Sequence, residues 1–115
     1  MSLRAAYEAE LRRVDGAAAA ADAPRHEALE RLRDFYQEIV REGLPDTSLE
    51  VEFRDEELLI DPGAVMITVK VTGEGGYRLF YEVKRPDEYV LTEIPGMGSL
   101  DDLKQAIARL MVQYR

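Results

Sequence analysis

The histidine is the first residue to weigh for chemistry, because a histidine beside a nucleophile can act as a general base. His26 is the only histidine in the chain, and the sequence contains no cysteine. No serine is placed beside it by a recognisable spacing. A helix dipole also disfavours a positive charge in the first turn, where His26 is expected. The position predicts a surface histidine, and we assign no catalytic residue.

A cluster of carboxylates is the second candidate, because Ca²⁺ and Mg²⁺ bind oxygen ligands. The cluster comprises Asp55, Glu56, Glu57 and Asp61. Calcium needs six to eight ligands, and the spacing of an EF-hand is absent. Without cysteine, and with one histidine, thiolate and multi-histidine metal sites are excluded. We interpret the cluster as a solvated turn and predict no metal site.

Two glycine-rich stretches, residues 73–76 and 95–98, are the third candidate. Backbone amides of such loops bind phosphate when the loop joins a strand to a helix. The first stretch lies between two predicted strands. The second precedes a helix, but it lacks a P-loop lysine, and Asp101 and Asp102 place negative charge at the helix start. Both stretches predict turns, and we assign no cofactor.

Charge limits the partners of the protein. The 115 residues carry a formal net charge of −8, with no run of basic residues. Proteins that bind nucleic acid or anionic membranes use clustered Lys and Arg, so we expect neither partner. The chain has no apolar stretch of membrane-spanning length and no signal-peptide pattern, so we expect a cytoplasmic protein.

Two helices are predicted before the first strand. Leu3, Tyr7, Leu11 and Val14 recur at helical spacing and predict an amphipathic helix over residues 2–14. Residues 15–23 contain an alanine run flanked by Gly16 and Pro24. The alanines favour an extension of the helix and the flanking residues favour a linker; we predict a connector and keep the helix extension as the alternative. A broad apolar stripe predicts a second helix over residues 24–42, stopped by Gly43 and Pro45.

Alternating apolar residues then predict four strands, at residues 49–60, 64–72, 77–84 and 89–94. Short turns at residues 61–63, 73–76 and 85–88 separate them. Because parallel neighbours need long crossovers, these turns predict an antiparallel meander.

A third helix is predicted to begin after Ser99, which has the character of an N-cap. Its apolar residues recur at steps of three and four. The prediction is therefore a single α+β domain of order α-α-β-β-β-β-α, with two helices packed on one face of a four-stranded antiparallel meander and an additional N-terminal amphipathic helix. Residues 1–23 form the N-terminal helix and connector, and residues 24–115 form the domain.

The second face of the sheet is the most informative surface. We predict that Met66 and Phe80 lie on it among charged residues, with a three-residue loop pairing Lys70 with Phe80, Thr68 with Glu82 and Met66 with Lys84. The N-terminal helix also needs a surface on which to bury Leu3, Tyr7 and Leu11. Homodimerisation satisfies both needs, so the predicted interaction surface is Leu3, Tyr7, Leu11, Met66 and Phe80.

No family motif occurs in the chain. Its size, acidity and C-terminal amphipathic helix resemble bacterial secretion chaperones in bulk properties only. The plan of double-stranded RNA-binding domains is similar, but the acidic start of the third helix argues against that function. We expect a non-catalytic protein-interaction or dimerisation module, an adaptor or chaperone-like accessory, that binds a second copy or another protein. The alternatives are a small-ligand pocket between helix 24–42 and the sheet, and a small enzyme with a carboxylate and tyrosine site.

Overall fold

The computed structural model describes residues 2–43, 48–84 and 90–115, and over residues 14–22 it describes the backbone alone. In chain order the elements are α1 (Leu3–Glu42), β1 (Glu50–Arg54), β2 (Glu57–Asp61), β3 (Val65–Val71), β4 (Tyr77–Val83), β5 (Leu91–Met97) and α2 (Leu100–Gln113). None of the helices in these ranges is long and apolar enough to cross a membrane. The predicted stop at Pro45 and the predicted turn at residues 85–88 lie outside the described residues.

Helix α1 is one continuous element, so the prediction of two helices joined by a connector is wrong. It runs for 40 residues and includes Pro24. The alanine run has the highest helix propensity of any residue type, and this outweighs Gly16, which costs about 1 kcal/mol. Pro24 removes one helical hydrogen bond and its ring crowds the carbonyl four residues earlier, at a cost of about 3 kcal/mol. The contacts of Pro24 and Arg25 with the sheet oppose this cost. Gly16 and Pro24 usually end helices, and the prediction gave them too much weight.

Within the described residues the sheet has five strands, so the prediction of four is also wrong, although the α+β class and the antiparallel meander are confirmed. The strand order is β1-β2-β3-β4-β5, and every neighbouring pair is antiparallel. Residues 49–60 were expected to form one strand, but Arg54 pairs with Glu57 across a two-residue turn. Both turn residues, Asp55 and Glu56, have positive φ. This is the geometry of a type I′ turn, which Asn-Gly usually signals and Asp-Glu does not.

The β3–β4 hairpin has a longer loop than predicted. Val71 pairs with Tyr77, so residues 72–76 form the loop. The register is consequently shifted by two residues from the predicted one: Thr68 pairs with Phe80, Met66 with Glu82, and Lys70 with Arg78. Because a shift of two preserves which face a side chain occupies, Met66 and Phe80 still share one face.

The two faces of the sheet differ in what covers them. The inner face packs against α1 and α2, which lie on the same side, and forms the core. Its fully buried side chains come from both layers: Leu32, Leu58, Ile60, Val65, Ile67, Val69, Leu79 and Leu103. The outer face carries the alternate residues of each strand. The burial pattern of β3, in which Val65, Ile67 and Val69 are buried and the residues between them are not, shows the alternation.

Helix α1 extends well beyond the sheet. We call residues 24–42 the anchored half and residues 3–23 the arm. At about 1.5 Å per residue, the arm is about 32 Å long. The longest dimension of the molecule is 68 Å, against 32 and 21 Å for the others. The radius of gyration is 19.1 Å, whereas about 13 Å is typical of a compact chain of this size. The elongation reflects the arm.

Candidate interaction surfaces

The arm carries an apolar stripe that is exposed. Leu3, Tyr7 and Leu11 are 88%, 64% and 46% exposed. The Ser2 hydroxyl caps the helix by accepting a hydrogen bond from the Ala5 amide at 3.1 Å. Away from the stripe, Arg4 binds Glu8 and Arg13 binds Glu10 within the helix. The arm is thus an amphipathic helix whose apolar side has no partner among the residues that the structure describes.

Contacts at one end of the sheet hold α1 where the arm begins. We call this the hairpin end, because it carries the turn at residues 55–56 and the loop at residues 72–76. Arg25 forms an ion pair with Glu56 of the turn. This ion pair holds the pKa of Glu56 below its ordinary value, chiefly through the hydrogen bond from Arg25. A Cβ on Gly75 would meet the carbonyl oxygen of Pro24 at 2.9 Å, so the loop contacts the helix directly.

Tyr77 adds a buried hydrogen bond to this junction. Its hydroxyl donates to the carbonyl oxygen of Ala28 at 3.0 Å. Burial raises the pKa of Tyr77 above its ordinary value, and the nearby positive charge of Arg31 opposes that shift. Among the α1 residues whose side chains the structure describes, Ala28 is also the first that is fully buried. The helix therefore enters the core at Ala28, and the arm lies on the solvent side of that point.

Phe80 lies at the middle of the outer face, where two cationic side chains contact its ring. Phe80 lies under Arg78, whose guanidinium carbon is 5.0 Å from the ring centroid, and Lys70, whose Nζ is 5.5 Å away. Arg78 donates two hydrogen bonds to Glu93, at 2.7 and 3.1 Å. These bonds lower the pKa of Glu93 and raise that of Arg78. Lys70 pairs with Glu57 at 3.3 Å. Long charged side chains thus partly cover the ring.

Two apolar residues of the outer face escaped the sequence analysis. Leu59 is half-buried and pairs with Thr68, while Leu91 is 64% exposed and pairs with Glu82. Leu59 was missed because residues 55–60 were interpreted as an irregular continuation of one strand. Residues 57–61 contain three consecutive apolar residues between two acidic ones, so alternation in the sequence could not show which face Leu59 occupies.

The predicted interaction residues fall on two separate surfaces. Leu3, Tyr7 and Leu11 lie on the arm, and Met66 and Phe80 lie on the outer face. The helix packs on the inner face and leaves the sheet at its hairpin end, so one chain does not bring the two groups together. Whether they meet between two chains is a prediction.

A cleft lies between the anchored half of α1, α2 and the β1–β2 edge of the sheet. Its volume is about 240 Å³. Glu38 and Lys104 lie at its side, joined by an ion pair of 3.1 Å. The apolar lining comprises Phe35, Ile39, Leu49, Ile60, Ile107, Ala108 and Met111. The small-ligand alternative expected a pocket between helix 24–42 and the face of the sheet that carries Tyr77 and Tyr81. This cleft lies instead at the β1–β2 edge, and neither tyrosine lines it.

The candidate chemical groups are not assembled into a reactive site in the described ranges. His26 is exposed, and no group of three or more His, Asp or Glu in those ranges could hold a metal ion. The pairing of Tyr77 with Met97 brings both glycine-rich stretches to the hairpin end. There they line an open cleft of about 470 Å³ beside Arg78 and Glu93. Arg78 already donates two hydrogen bonds to Glu93, so a carboxylate of the same sheet balances its positive charge.

Comparison with family models, with characterised proteins and with solved structures gives no match to this chain.

Proposed function

We propose that the protein is a non-catalytic self-association module whose arm binds a second copy of the chain. One observation carries the proposal: the three large apolar side chains of the arm stripe are all exposed. Helices in proteins gain most of their stability from packing an apolar face against other elements. An arm with such a stripe is therefore expected to be stabilised by a partner surface.

The charge of the chain supports a protein partner rather than nucleic acid or a membrane surface. The net charge of −8 opposes phosphate binding. A self-associating acidic module is suited to the role of adaptor or chaperone-like accessory to another protein, and we place it in the cytoplasm. The accessory role and the cytoplasmic location are parts of the proposal.

A second candidate is binding of a small apolar molecule in the cleft beside Met111. The observation that favours it is the apolar lining of that cleft between two helices and the sheet. Ala108→Trp would fill the cleft. If anilinonaphthalene sulfonate, a dye with apolar rings and one sulfonate, binds there, this variant should abolish its fluorescence enhancement while the circular dichroism spectrum is retained. Unchanged enhancement would reject the cleft as the site.

The self-association proposal is tested by sedimentation velocity on the full chain and two matched double variants. Tyr7→Glu with Leu11→Glu places two charges on the stripe. Ala5→Glu with Ala9→Glu places the same two charges on the opposite side of the arm. We expect the wild type and the control to sediment as dimers at high micromolar concentration and the stripe variant to sediment as a monomer. A wild-type protein that is monomeric at every concentration contradicts the proposal.

A further inference from the structure

We infer that α1 contains a hinge at Pro24, and that two contacts at the hairpin end hold the arm as a continuation of the anchored half. We call these contacts, which Gly75 and Glu56 make with the helix, the latch. When the latch opens, the helix breaks before Pro24 and the arm changes direction, while the anchored half stays on the sheet. The inference goes beyond the proposed function, because it concerns the direction of the arm and not what the arm binds.

Pro24 makes a weak point in α1. It has no N–H, so the carbonyl of Ala20 receives no helical hydrogen bond from it, and the proline ring crowds that same carbonyl. A proline also disfavours the helical conformation of the residue before it, yet Ala23 is helical. Helices usually end at such a position. Contacts from outside the helix are therefore needed to keep this one continuous.

The helix is fixed to the core immediately after the hinge. Ala28, four residues after Pro24, is fully buried, and so is Leu32 one turn later. The Tyr77 hydroxyl also donates a hydrogen bond to the Ala28 carbonyl at 3.0 Å. These buried contacts hold the anchored half in place. A force applied at Pro24 is consequently relieved on the side of the arm.

The loop at residues 72–76 contacts the helix at the hinge itself. A Cβ added to Gly75 would lie 2.9 Å from the carbonyl oxygen of Pro24 and 3.1 Å from its Cβ. The Thr72 amide donates to the Gly76 carbonyl at 2.9 Å, and the Gly75 amide donates to the Thr72 carbonyl at 3.2 Å. The Gly76 amide donates to the Thr72 hydroxyl at 3.0 Å. These three hydrogen bonds fix the loop, which supports the helix at Pro24.

The second contact of the latch is the ion pair between Arg25 and Glu56. Glu56 lies in the two-residue turn between β1 and β2, so the pair joins the helix to a second hairpin beside the loop. Its carboxylate is 53% exposed, and exposed ion pairs are weak and screened by salt. The latch is therefore weaker than the buried contacts of the anchored half. It opens first, without unfolding of the domain.

A distance between spin labels on the two halves of α1 measures the direction of the arm. Ala9→Cys and Gln37→Cys place the labels at exposed positions of a chain that has no cysteine of its own. The positions are 28 residues apart, which is about 42 Å along a continuous helix. A bend of about 60° at Pro24 shortens this distance to about 36 Å. Double electron–electron resonance gives the distance distribution, at low micromolar concentration so that a second copy does not hold the arm.

Gly75→Ala and Gly96→Ala are matched variants of the labelled chain. Gly96 has a φ of 86°, close to the 89° of Gly75, but a Cβ added there meets no atom within 4 Å. Both substitutions strain a left-handed backbone alike, and only Gly75→Ala presses on Pro24. We expect one population near about 42 Å in the wild type and in Gly96→Ala, and a second population shorter by about 5 Å or more in Gly75→Ala.

Equal distributions in Gly75→Ala and Gly96→Ala overturn the inference, as does a wild-type distribution that already extends to the shorter distances. Pro24→Ala, added to Gly75→Ala, restores the missing helical hydrogen bond. The helix should then shift as one body, and the shorter population should disappear. A shorter population that persists in this double variant shows that the break is not at Pro24, which also overturns the inference.

Circular dichroism verifies that each variant is folded. If Gly75→Ala does not fold, Glu56→Gln opens the other contact of the latch at an exposed position. Glu93→Gln is its control, because the Arg78–Glu93 ion pair does not involve α1. A shorter population in Glu56→Gln and not in Glu93→Gln supports the latch, and its absence from both variants overturns it.

Discussion

The two halves of α1 have the same apolar spacing and different surroundings. Leu32 in the anchored half is fully buried, and Leu11, three heptads earlier, is 46% exposed. The difference is that the anchored half faces a sheet of its own chain and the arm extends past it. Helical periodicity therefore identifies the apolar side of a helix, but it does not identify the surface on which that side packs.

Substitution of the equivalent leucines gives the largest expected contrast. Leu32→Ala leaves a cavity in the core and should lower the free energy of unfolding by about 2–5 kcal/mol. Leu11→Ala, measured at a concentration where the protein is monomeric, should change it by less than about 0.5 kcal/mol. Urea unfolding followed by circular dichroism measures both. Similar losses at the two positions would show that the arm packs within its own chain.

Tyr77→Phe should have an intermediate effect, because it removes the hydroxyl that binds the Ala28 carbonyl in the core. We expect a loss of about 1 kcal/mol in the free energy of unfolding at pH 7. Burial raises the pKa of Tyr77 in the folded state above its ordinary value of 10.0. The stabilisation is therefore full below pH 10 and is lost as the pH rises from there to the raised pKa.

The difference between wild type and Tyr77→Phe should consequently shrink above pH 10. Urea unfolding at pH 7 and at pH values above 10 measures it. A difference that stays constant over this range would show that the Tyr77 hydroxyl is not buried against the helix.

Much of the fold could be predicted from the residues. The stripe from Leu29 to Ile39 predicted the anchored half, and alternation around Ile67 and Leu79 predicted which face of the central strands is buried. Side-chain alternation survives a shift of two in register, so Met66 and Phe80 were placed on the outer face although their predicted partners were wrong.

The errors arose where tertiary or local energies opposed the usual signals. Gly16 and Pro24 indicated a break, but alanine propensity and the contacts of Pro24 and Arg25 at the hairpin end favour a continuous helix. The turn at Asp55 and Glu56 uses a left-handed backbone at both positions. Aspartate adopts this conformation occasionally, but glutamate seldom does. Periodicity alone also could not show that the arm lies beyond the sheet, because this depends on the length of the anchored half relative to the strands.

The smallest expected loss in the free energy of unfolding is for a substitution at the junction of the two halves of α1. Glu56→Gln removes the charge that Arg25 binds, while the turn keeps a side chain of the same size. Because the pKa of Glu56 is lowered in the folded state, its stabilisation is present above the ordinary value of 4.5 and is lost as the pH falls through the lowered pKa. The pair is exposed, so its effect should be smaller than that of Tyr77→Phe and should weaken with salt.

Glu93→Gln is the comparison variant, because it breaks an ion pair on the sheet that does not involve α1. Amide exchange around residues 24–28 should increase in Glu56→Gln and not in Glu93→Gln. Equal exchange in the two variants would mean that the Arg25 pair does not hold the helix at the hairpin end.

Hydrogen exchange of the backbone amides of α1, measured on the full chain at low and high micromolar concentration, tests the central claim most directly. The account predicts that residues 28–39 exchange slowly at both concentrations, because their own sheet covers them. It predicts that the amides of residues 7–13 exchange fast when the protein is dilute and at least tenfold more slowly when it is concentrated, because a second copy then covers the arm. Arm amides that exchange at the same rate at both concentrations would contradict the account.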